Sequence, residues 1–526
     1  MKSAKLVFLI ELAAALIFGL CINASLLRDA DTWWLLGLGR WICDHHSLPA
    51  TDPFSYTMVY QTGRQYLPHQ WLSAVTFYLT YHLGAIQPLL MLCVGVLFGA
   101  FVVLPLRALM RTAPLWLAFA LTGVGVFAAK FHFLARPEIF SYLLEALMLS
   151  CLFTHRLKAI EQNAKQTQDK QLRKILASLD FRFIARVSVI FVLWCNFHSG
   201  FIFGAIFLVA YSLSSSLIAV FRKSFLAVDW TVIAVTSLLP LLAMINPFGL
   251  KLLIYLREQL WFDPFGNSVG EMMPISLTNP AFFPFFVLVL AFIGLLLLAL
   301  RQSLKANQSA LFLLTSVLVS ALPICVAFIH RRLILFAVPV ILFECAMIML
   351  QWRGAPPKPA LLSESNANGG ERLWGLSMQV VPVLASMISV PLAFAWFGCD
   401  NRWDVHALSV VDNGIDFVKE HAHDRRIFND FLLGDRMIWL TPEHPLVFLD
   451  TRYDMYGSKI VDEYDVISMG QPGWQNLLDK YKVEMVCFFV KSRIADLLRE
   501  EPEWRMVYSD SRTVVFERTI EKGLGK

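Results

Sequence analysis

The sequence predicts a polytopic α-helical membrane protein that carries an α/β domain at its C-terminal end, and three observations lead there. Apolar residues fill 57% of the 526 positions and charged residues only 16%, too little polar surface to clothe a soluble globule of this length. Apolar runs near the length of a bilayer crossing recur through residues 1–397. From residue 398 to 526 charges become frequent and the apolar runs short and periodic, which marks a separately folded domain.

Taking about 20 apolar residues per crossing, about eleven spans are expected. They fall at 6–27, 85–106, 113–131, 140–153, 183–194, 201–221, 228–245, 283–300, 310–328, 333–350 and 374–397. The run after MKSAK is longer than a secretory h-region and reads as an uncleaved first span. Orientation follows from lysine and arginine in the loops, since basic residues resist translocation. Lys2 and Lys5, Arg107 and Arg111, the basic residues of 156–186, Arg222 and Lys223, Arg301 and Lys305, and those of 353–372 share one side, the expected cytoplasm. The first loop, 28–84, and the domain 398–526 then lie on the extracytoplasmic side. Two cytoplasmic connectors read as solvated linkers: 161–174, polar without an apolar face, and 354–370, rich in proline and glycine.

Within the C-terminal domain, 415–421 and 494–499 read as helices, 446–449 and 485–490 as buried strands, and 506–509 with 513–517 as a terminal hairpin. Such a domain can cover a site at the membrane surface.

Composition narrows the chemistry. A net charge of +5 without a basic run interleaved with aromatics points away from nucleic acid. The nine cysteines are scattered with no CxxC or metal-ligand spacing, and only Cys43, Cys399 and Cys487 fall on the extracytoplasmic side. No Walker loop, dinucleotide fingerprint or GxSxG occurs.

The stretch 27–57, LRDADTWWLLGLGRWICDHHSLPATDPFSYT, concentrates carboxylates, histidines and tryptophans directly after the first span. Trp33 and Trp34 suit the aromatic belt at the lipid headgroups. Asp29 and Asp31 are candidate catalytic carboxylates. Residues two apart converge on one partner only in an extended or turn conformation, so their spacing needs a loop, whereas Asp31 alone also suits a helix cap before Thr32. Transfer of a group from a phosphate to a hydroxyl needs such a carboxylate to take the acceptor proton and a cation to stabilise the departing phosphate. Cationic and imidazole candidates cluster at extracytoplasmic helix ends: Lys130, Arg136, His198, His330, Arg331 and Arg332, with Arg40 and His69 in the first loop. The ordinary reading of any one interfacial arginine is a side chain snorkelling to headgroups. Their gathering on one side is what favours an anionic substrate. Asp44, His45, His46 and His69 form no closed metal set, but Mg2+ or Mn2+ held by Asp31 and substrate phosphates would leave little sequence signature.

Taken in order, the run 29–56, HQWL at 69–72, ARP at 135–137, WCNFHSGF at 194–201, INPFG at 245–249, FLDTRYDMY at 448–456 and WRMVYSDSRTVVFER at 504–518 resemble multi-spanning bacterial proteins related to the GT-C glycosyltransferases. The resemblance implies a GT-C-like membrane domain and a polyprenyl-phosphate or pyrophosphate sugar donor. It also implies an acidic catalytic base in the first outer loop, matched here by Asp29 and Asp31. The implied setting is a bacterial inner membrane with the N-terminus cytoplasmic and the C-terminal domain periplasmic. Partners would be the lipid-linked donor, membrane lipids, and an acceptor glycan, lipid or protein. The chain departs from the pattern at Leu35, where histidine is implied, at Gln70, where an acid is implied, and in FNDFLLGDRMIW (428–439), which lacks the implied paired glycines. A transporter or flippase of a lipid-linked or anionic solute, and a non-catalytic envelope-polysaccharide assembly protein, are the rival readings.

Overall fold

The computed structural model describes residues 18, 26, 29–60, 66–163, 179–224, 228–261, 272–306, 310–353, 383–388, 405–441 and 447–519. The expected first span apart from residues 18 and 26, the linker 354–370, Cys399 and most of 374–397 lie outside them. So does the connector 161–174 from residue 164 onward.

The helices in chain order are α1 (Asp31–His45), α2 (Trp71–His82), α3 (Ile86–Thr112), α4 (Leu115–Ala129), α5 (Glu138–Asn163), α6 (Phe181–Phe197) and α7 (Phe201–Phe221). They continue with α8 (Trp230–Leu242), α9 (Leu250–Trp261), α10 (Phe283–Lys305), α11 (Phe312–Ile329) and α12 (Ile334–Arg353). Six of these, α3, α4, α7, α10, α11 and α12 with their short 3-10 extensions, are long and apolar enough to cross a membrane. Helices α5, α6 and α8 occupy further expected spans. Helix α3 passes through a π turn at Gly99–Val103. Pro105, four residues after Phe101, has no N–H to give the Phe101 carbonyl, and a local change of helical pitch accommodates the loss. Helix α9 was not expected: Lys251 and Arg257 break its apolar run, yet Leu252 and Leu256 are buried.

The first loop is largely helical. α1 and α2 pack so closely that a Cβ at Gly39 would overlap the Ala74 carbonyl, and one at Gly37 would strike Ile438 of the C-terminal region. Glycine at both positions lets three helices meet.

The C-terminal region comprises α13 (Val405–His421), β1 (Ile427–Asn429), α14 (Phe431–Leu440), α15 (Tyr453–Ser468), α16 (Trp474–Lys480), β2 (Met485–Phe489), α17 (Arg493–Glu500), β3 (Trp504–Ser509) and β4 (Thr513–Arg518). Its sheet runs β1-β2-β4-β3, with β1 parallel to β2 (Phe428 beside Val486) and the other pairs antiparallel. The terminal hairpin appears as expected. Of the expected strand 446–449, residue 446 lies outside the described residues and 447–449 do not join the sheet: the Asn429 side chain takes the Phe448 N–H (2.8 Å) and gives its own N–H to the Leu449 carbonyl (2.8 Å), substituting for a ladder partner. Val447 instead makes a parallel bridge to Ser55 of the first loop.

Among the described residues two apolar cores result. One runs from the membrane helices through α1 into α14; the other, centred on Phe428, Phe448 and Tyr464, includes Tyr56 from the first loop.

Candidate active site

Asp29 and Asp31 stand at the entry to α1. The Asp29 carboxylate accepts the Asp31 backbone N–H (2.9 Å), one of the N–H groups a helix leaves without an internal partner at its start. Asp31 is therefore not the cap; it is the first helical residue, with its side chain turned to other partners. The Thr32 hydroxyl donates to the Ala135 carbonyl (2.8 Å), and the Ala135 N–H bonds the Leu26 carbonyl (2.9 Å). These bonds clamp the ARP stretch onto the first loop. Arg136 is thereby held against both acids, Nη2 at 2.5 Å from Asp29 Oδ2 and Nε at 3.1 Å from Asp31 Oδ2. The short spacing requires the turn seen here, with Asp29 outside the helix and Asp31 inside it.

The C-terminal region closes the site from the other side. Thr451 Oγ1 lies 2.5 Å from Asp31 Oδ1 and 3.1 Å from Asp435 Oδ1. Burial pushes the Asp31 carboxyl up, to about 7, with Arg136 pulling against it and Asp29 adding to it. Asp435 is wholly buried, and burial together with Asp450 and Asp31 holds its carboxyl far above the usual range. Trp33 and Trp34 are buried rather than set among headgroups, Trp33 beneath the Arg436 guanidinium (3.7 Å) and Trp34 near that of Arg452 (5.7 Å). The rings present π faces to cations, which draws the pair inward.

Arg452 joins the two halves. Its Nη2 meets Asp450 Oδ2 at 2.6 Å and its Nη1 meets Asp52 Oδ1 at 2.7 Å, while the Tyr456 hydroxyl donates to Asp450 (2.6 Å) and the Ser55 hydroxyl to Asp52 (2.5 Å).

Next to Arg136, Glu138 lies within electrostatic range of Arg136, His198, His132 and Arg332. His198 Nδ1 accepts the Gly200 N–H (3.0 Å) and contacts the Ser141 hydroxyl (2.8 Å), which itself accepts the Trp194 indole N–H (2.7 Å). Nδ1 is thus the acceptor, and the ring's proton sits on Nε2. Burial pushes this imidazole down to about 4, so it is neutral at physiological pH. Asn196 ties three quoted motifs together: its Oδ1 accepts from Trp71 Nε1 (3.2 Å), and its Nδ2 donates to the carbonyls of Val192 (2.8 Å) and Ile245 (2.9 Å).

Of the candidates named from sequence, Asp29, Asp31 and Arg136 touch, and His198 and Arg332 stand nearby through Glu138. His69 lies within electrostatic range of His198 and packs on the Tyr255 ring (5.2 Å). The remaining four are placed elsewhere. Arg40 donates to the Trp439 carbonyl (2.8 Å) and covers the Trp439 ring, closing the end of α14. Lys130 is exposed over Phe127, the His330 ring bonds the Met272 carbonyl (2.8 Å), and Arg331 lies over Phe282. The sequence reading missed Glu138, Asp435, Thr451 and Arg452. Thr451 and Arg452 lie inside FLDTRYDMY, Glu138 directly follows ARP, and Asp435 lies in the stretch that lacks the implied paired glycines.

The donor set does not fit a resident Mg2+ or Mn2+. The Asp29 and Asp31 oxygens are engaged by Arg136, Thr451 and a backbone N–H, and among the described residues no group of three or more His, Cys, Asp or Glu is arranged to hold a metal.

No protein-family model and no curated protein sequence matches the chain. Among solved structures it resembles the archaeal oligosaccharyltransferase AglB from Archaeoglobus fulgidus, solved with an inhibitory peptide and a dolichol-phosphate. The match covers 98% of this chain and 74% of that one, at TM-score 0.54 and 12% identity. ArnT from Cupriavidus metallidurans bound to undecaprenyl phosphate matches over 98% of both chains at TM-score 0.47 and 14% identity. Its apo form matches over 98% of both at 0.48 and 15%. The likeness to AglB establishes a common fold.

Proposed function

We propose that this chain is a membrane glycosyltransferase that moves a sugar from a polyprenyl-phosphate or pyrophosphate carrier to an acceptor hydroxyl on an envelope glycan, lipid or protein. The observation that carries the reading is the convergence of Asp29 and Asp31 on Arg136 beneath the C-terminal region. In the proposed step Asp31 takes the proton of the acceptor O–H as that oxygen bonds the anomeric carbon. The bond from the anomeric carbon to the phosphate oxygen breaks, and its electron pair leaves with the phosphate. A single displacement of this kind inverts the sugar. Arg136, with neutral His198 and Arg332 nearby, offers the positive charge and N–H donors a departing phosphate needs. A carboxylate near 7 suits a base working at neutral pH.

The reading sets the site on the extracytoplasmic face of a bacterial inner membrane. The contact between the first loop and the C-terminal region supports one part of it, a shared side, since the chain between them then crosses an even number of times, as the expected spans do. A carrier role has one observation of its own. Glu145 is buried within α5, and neither of its carboxyl oxygens meets a donor among the described residues, as a group moving through a bilayer would require.

Transfer from a labelled lipid-linked sugar, in membranes holding the wild type, Asp31→Asn or Glu145→Gln, separates the two. Sugar transfer lost in Asp31→Asn and kept in Glu145→Gln supports the transferase. Solute movement without transfer, lost in Glu145→Gln, supports the carrier.

A further inference from the structure

We propose that Asp435 is a neutral acid whose proton sets the direction of a two-bond chain, Asp435 O–H to Thr451 O–H to Asp31 Oδ1, so that Asp435 is a positioning residue for the base. The role assigned to Asp31 rests on the transferase reading. The proton on Asp435 does not.

Thr451 Oγ1 has two carboxyl oxygens within hydrogen-bonding distance, at 2.5 Å and 3.1 Å, and one hydrogen to give. Both contacts are hydrogen bonds only if one carboxyl is itself protonated. Two ionised carboxylates around one hydroxyl would leave the longer contact as two facing lone pairs.

The surroundings decide which acid keeps the proton. Asp31 has the Arg136 guanidinium at 3.1 Å, and its side chain is 22% exposed. Asp435 has 0% exposure, and its Oδ2 meets no donor among the described residues. Its Oδ1 receives only the Thr451 backbone N–H, at 3.3 Å, besides the hydroxyl contact. Among the described residues, the titratable groups facing it are Asp31 from α1, with Asp450 and Tyr453 from the stretch before and at the start of α15. None brings a positive charge. The nearby arginines are turned away: Arg452 to Asp450 and Asp52, Arg436 to the Trp33 ring. An ionised carboxylate placed there is strongly disfavoured, and the neutral acid has an acceptor in Thr451 Oγ1.

The directed chain fixes the Asp31 carboxylate plane by its Oδ1. That leaves Oδ2, on the Arg136 side, as the oxygen that meets substrate. It also opposes the effect of burial by stabilising the ionised form of Asp31, which keeps the base charged in a half-enclosed site.

The test uses the full-length protein, purified in detergent and checked for monodispersity. Infrared spectra of substrate-free wild type minus Asp435→Asn are expected to contain the C=O stretch of a protonated carboxyl, and the same band should shift in Thr451→Val. In transfer assays, losing a hydrogen bond to a charged group costs about 10–100-fold, the drop expected for Asp435→Leu and Thr451→Val. Asp435→Asn, which keeps a donor, is expected to recover most of that loss and to remove the alkaline limb of the pH profile. Thr451→Ser is expected to recover the Thr451→Val loss. A difference spectrum without the acid band, or an Asp435→Asn variant as impaired as Asp435→Leu, overturns the proposal. Because the spectra need no substrate, a wild type that transfers no sugar yet yields the acid band counts against the transferase reading alone.

Discussion

Arg452 Nη1 and Asp52 Oδ1 meet 2.7 Å apart inside the protein, with side-chain exposures of 6% and 0%, and so fasten the first loop to the C-terminal region. Two acids, Asp52 and Asp450, share this one guanidinium, and both are buried. Replacing Arg452 by methionine leaves their charge without compensation. Breaking a buried pair in this way destabilises by about 3–5 kcal/mol. Thermal unfolding of the detergent-solubilised variant should show a marked drop, and a double variant with Asp52→Asn should recover part of it.

Arg136 is expected to matter for chemistry more than for folding. Its side chain is only 15% exposed, but its partners Asp29 and Asp31 are reachable by solvent. Loss of a preorganised donor at a developing anion costs about 100–1,000-fold in rate. Arg136→Gln should lose transfer on that scale while unfolding near the wild-type temperature. Asp31→Asn should lose about 100–10,000-fold, the range for a removed general base. A variant of either residue that transfers at the wild-type rate would remove it from the mechanism.

The pH profile of kcat/KM should have an acid limb. Asp31 must be ionised to accept a proton, and its carboxyl is raised to about 7. Activity should therefore rise as pH increases toward 7 and hold until Asp435 loses its proton at more alkaline pH, where a second limb should appear. A limb near the ordinary carboxylate range of about 4 would mean that a different acid is the base.

Stability should respond to Asp435 with the opposite sense from a salt-bridged acid. Its carboxyl is raised in the folded protein above the ordinary 3.8. Above 3.8 the unfolded chain releases this proton while the folded protein retains it, so the folded state binds more protons and loses stability as pH rises. Asp435→Asn has no proton to retain. Its unfolding temperature should gain on the wild type from pH 4 to pH 8, and a difference that shrinks over that range would mean the acid is ionised in the fold.

Asn196 joins α6 to Trp71 and Ile245 by two hydrogen bonds and makes a third within α6, to the Val192 carbonyl. Asn196→Ala leaves those groups without partners, at about 1–3 kcal/mol for each group left buried. The expected outcome is lower stability with a site of unchanged pH dependence.

Much of this was legible in the sequence where the signal is local. Bilayer-length apolar runs gave the membrane helices, and the crowding of Asp29 and Asp31 after an apolar segment, with Arg136 before another, put into one candidate set residues that the structure brings into contact. What was missed depends on distance along the chain. Thr451 meets Asp31 across 420 positions, and no periodicity encodes that. The segment 446–449 reads as a strand because it is apolar, yet Phe448 and Leu449 take the Asn429 side chain as their partner. Trp33 and Trp34 read as headgroup residues until Arg436 and Arg452 supplied cations for their rings. Arg40 drew notice as a cation, and its work is to close the end of α14.

The Asp52–Arg452 join also bears on how the protein is made. The two residues are 400 positions apart, so the first loop is synthesised long before its partner exists. At about 5–20 residues per second, the interval is roughly 20–80 s. Throughout it Asp52 lacks its arginine, Tyr56 lacks the core it fills, and Asp31 lacks Thr451. The site is thus completed only as the last part of the chain arrives, which makes nascent chains truncated before residue 452 natural substrates for quality control.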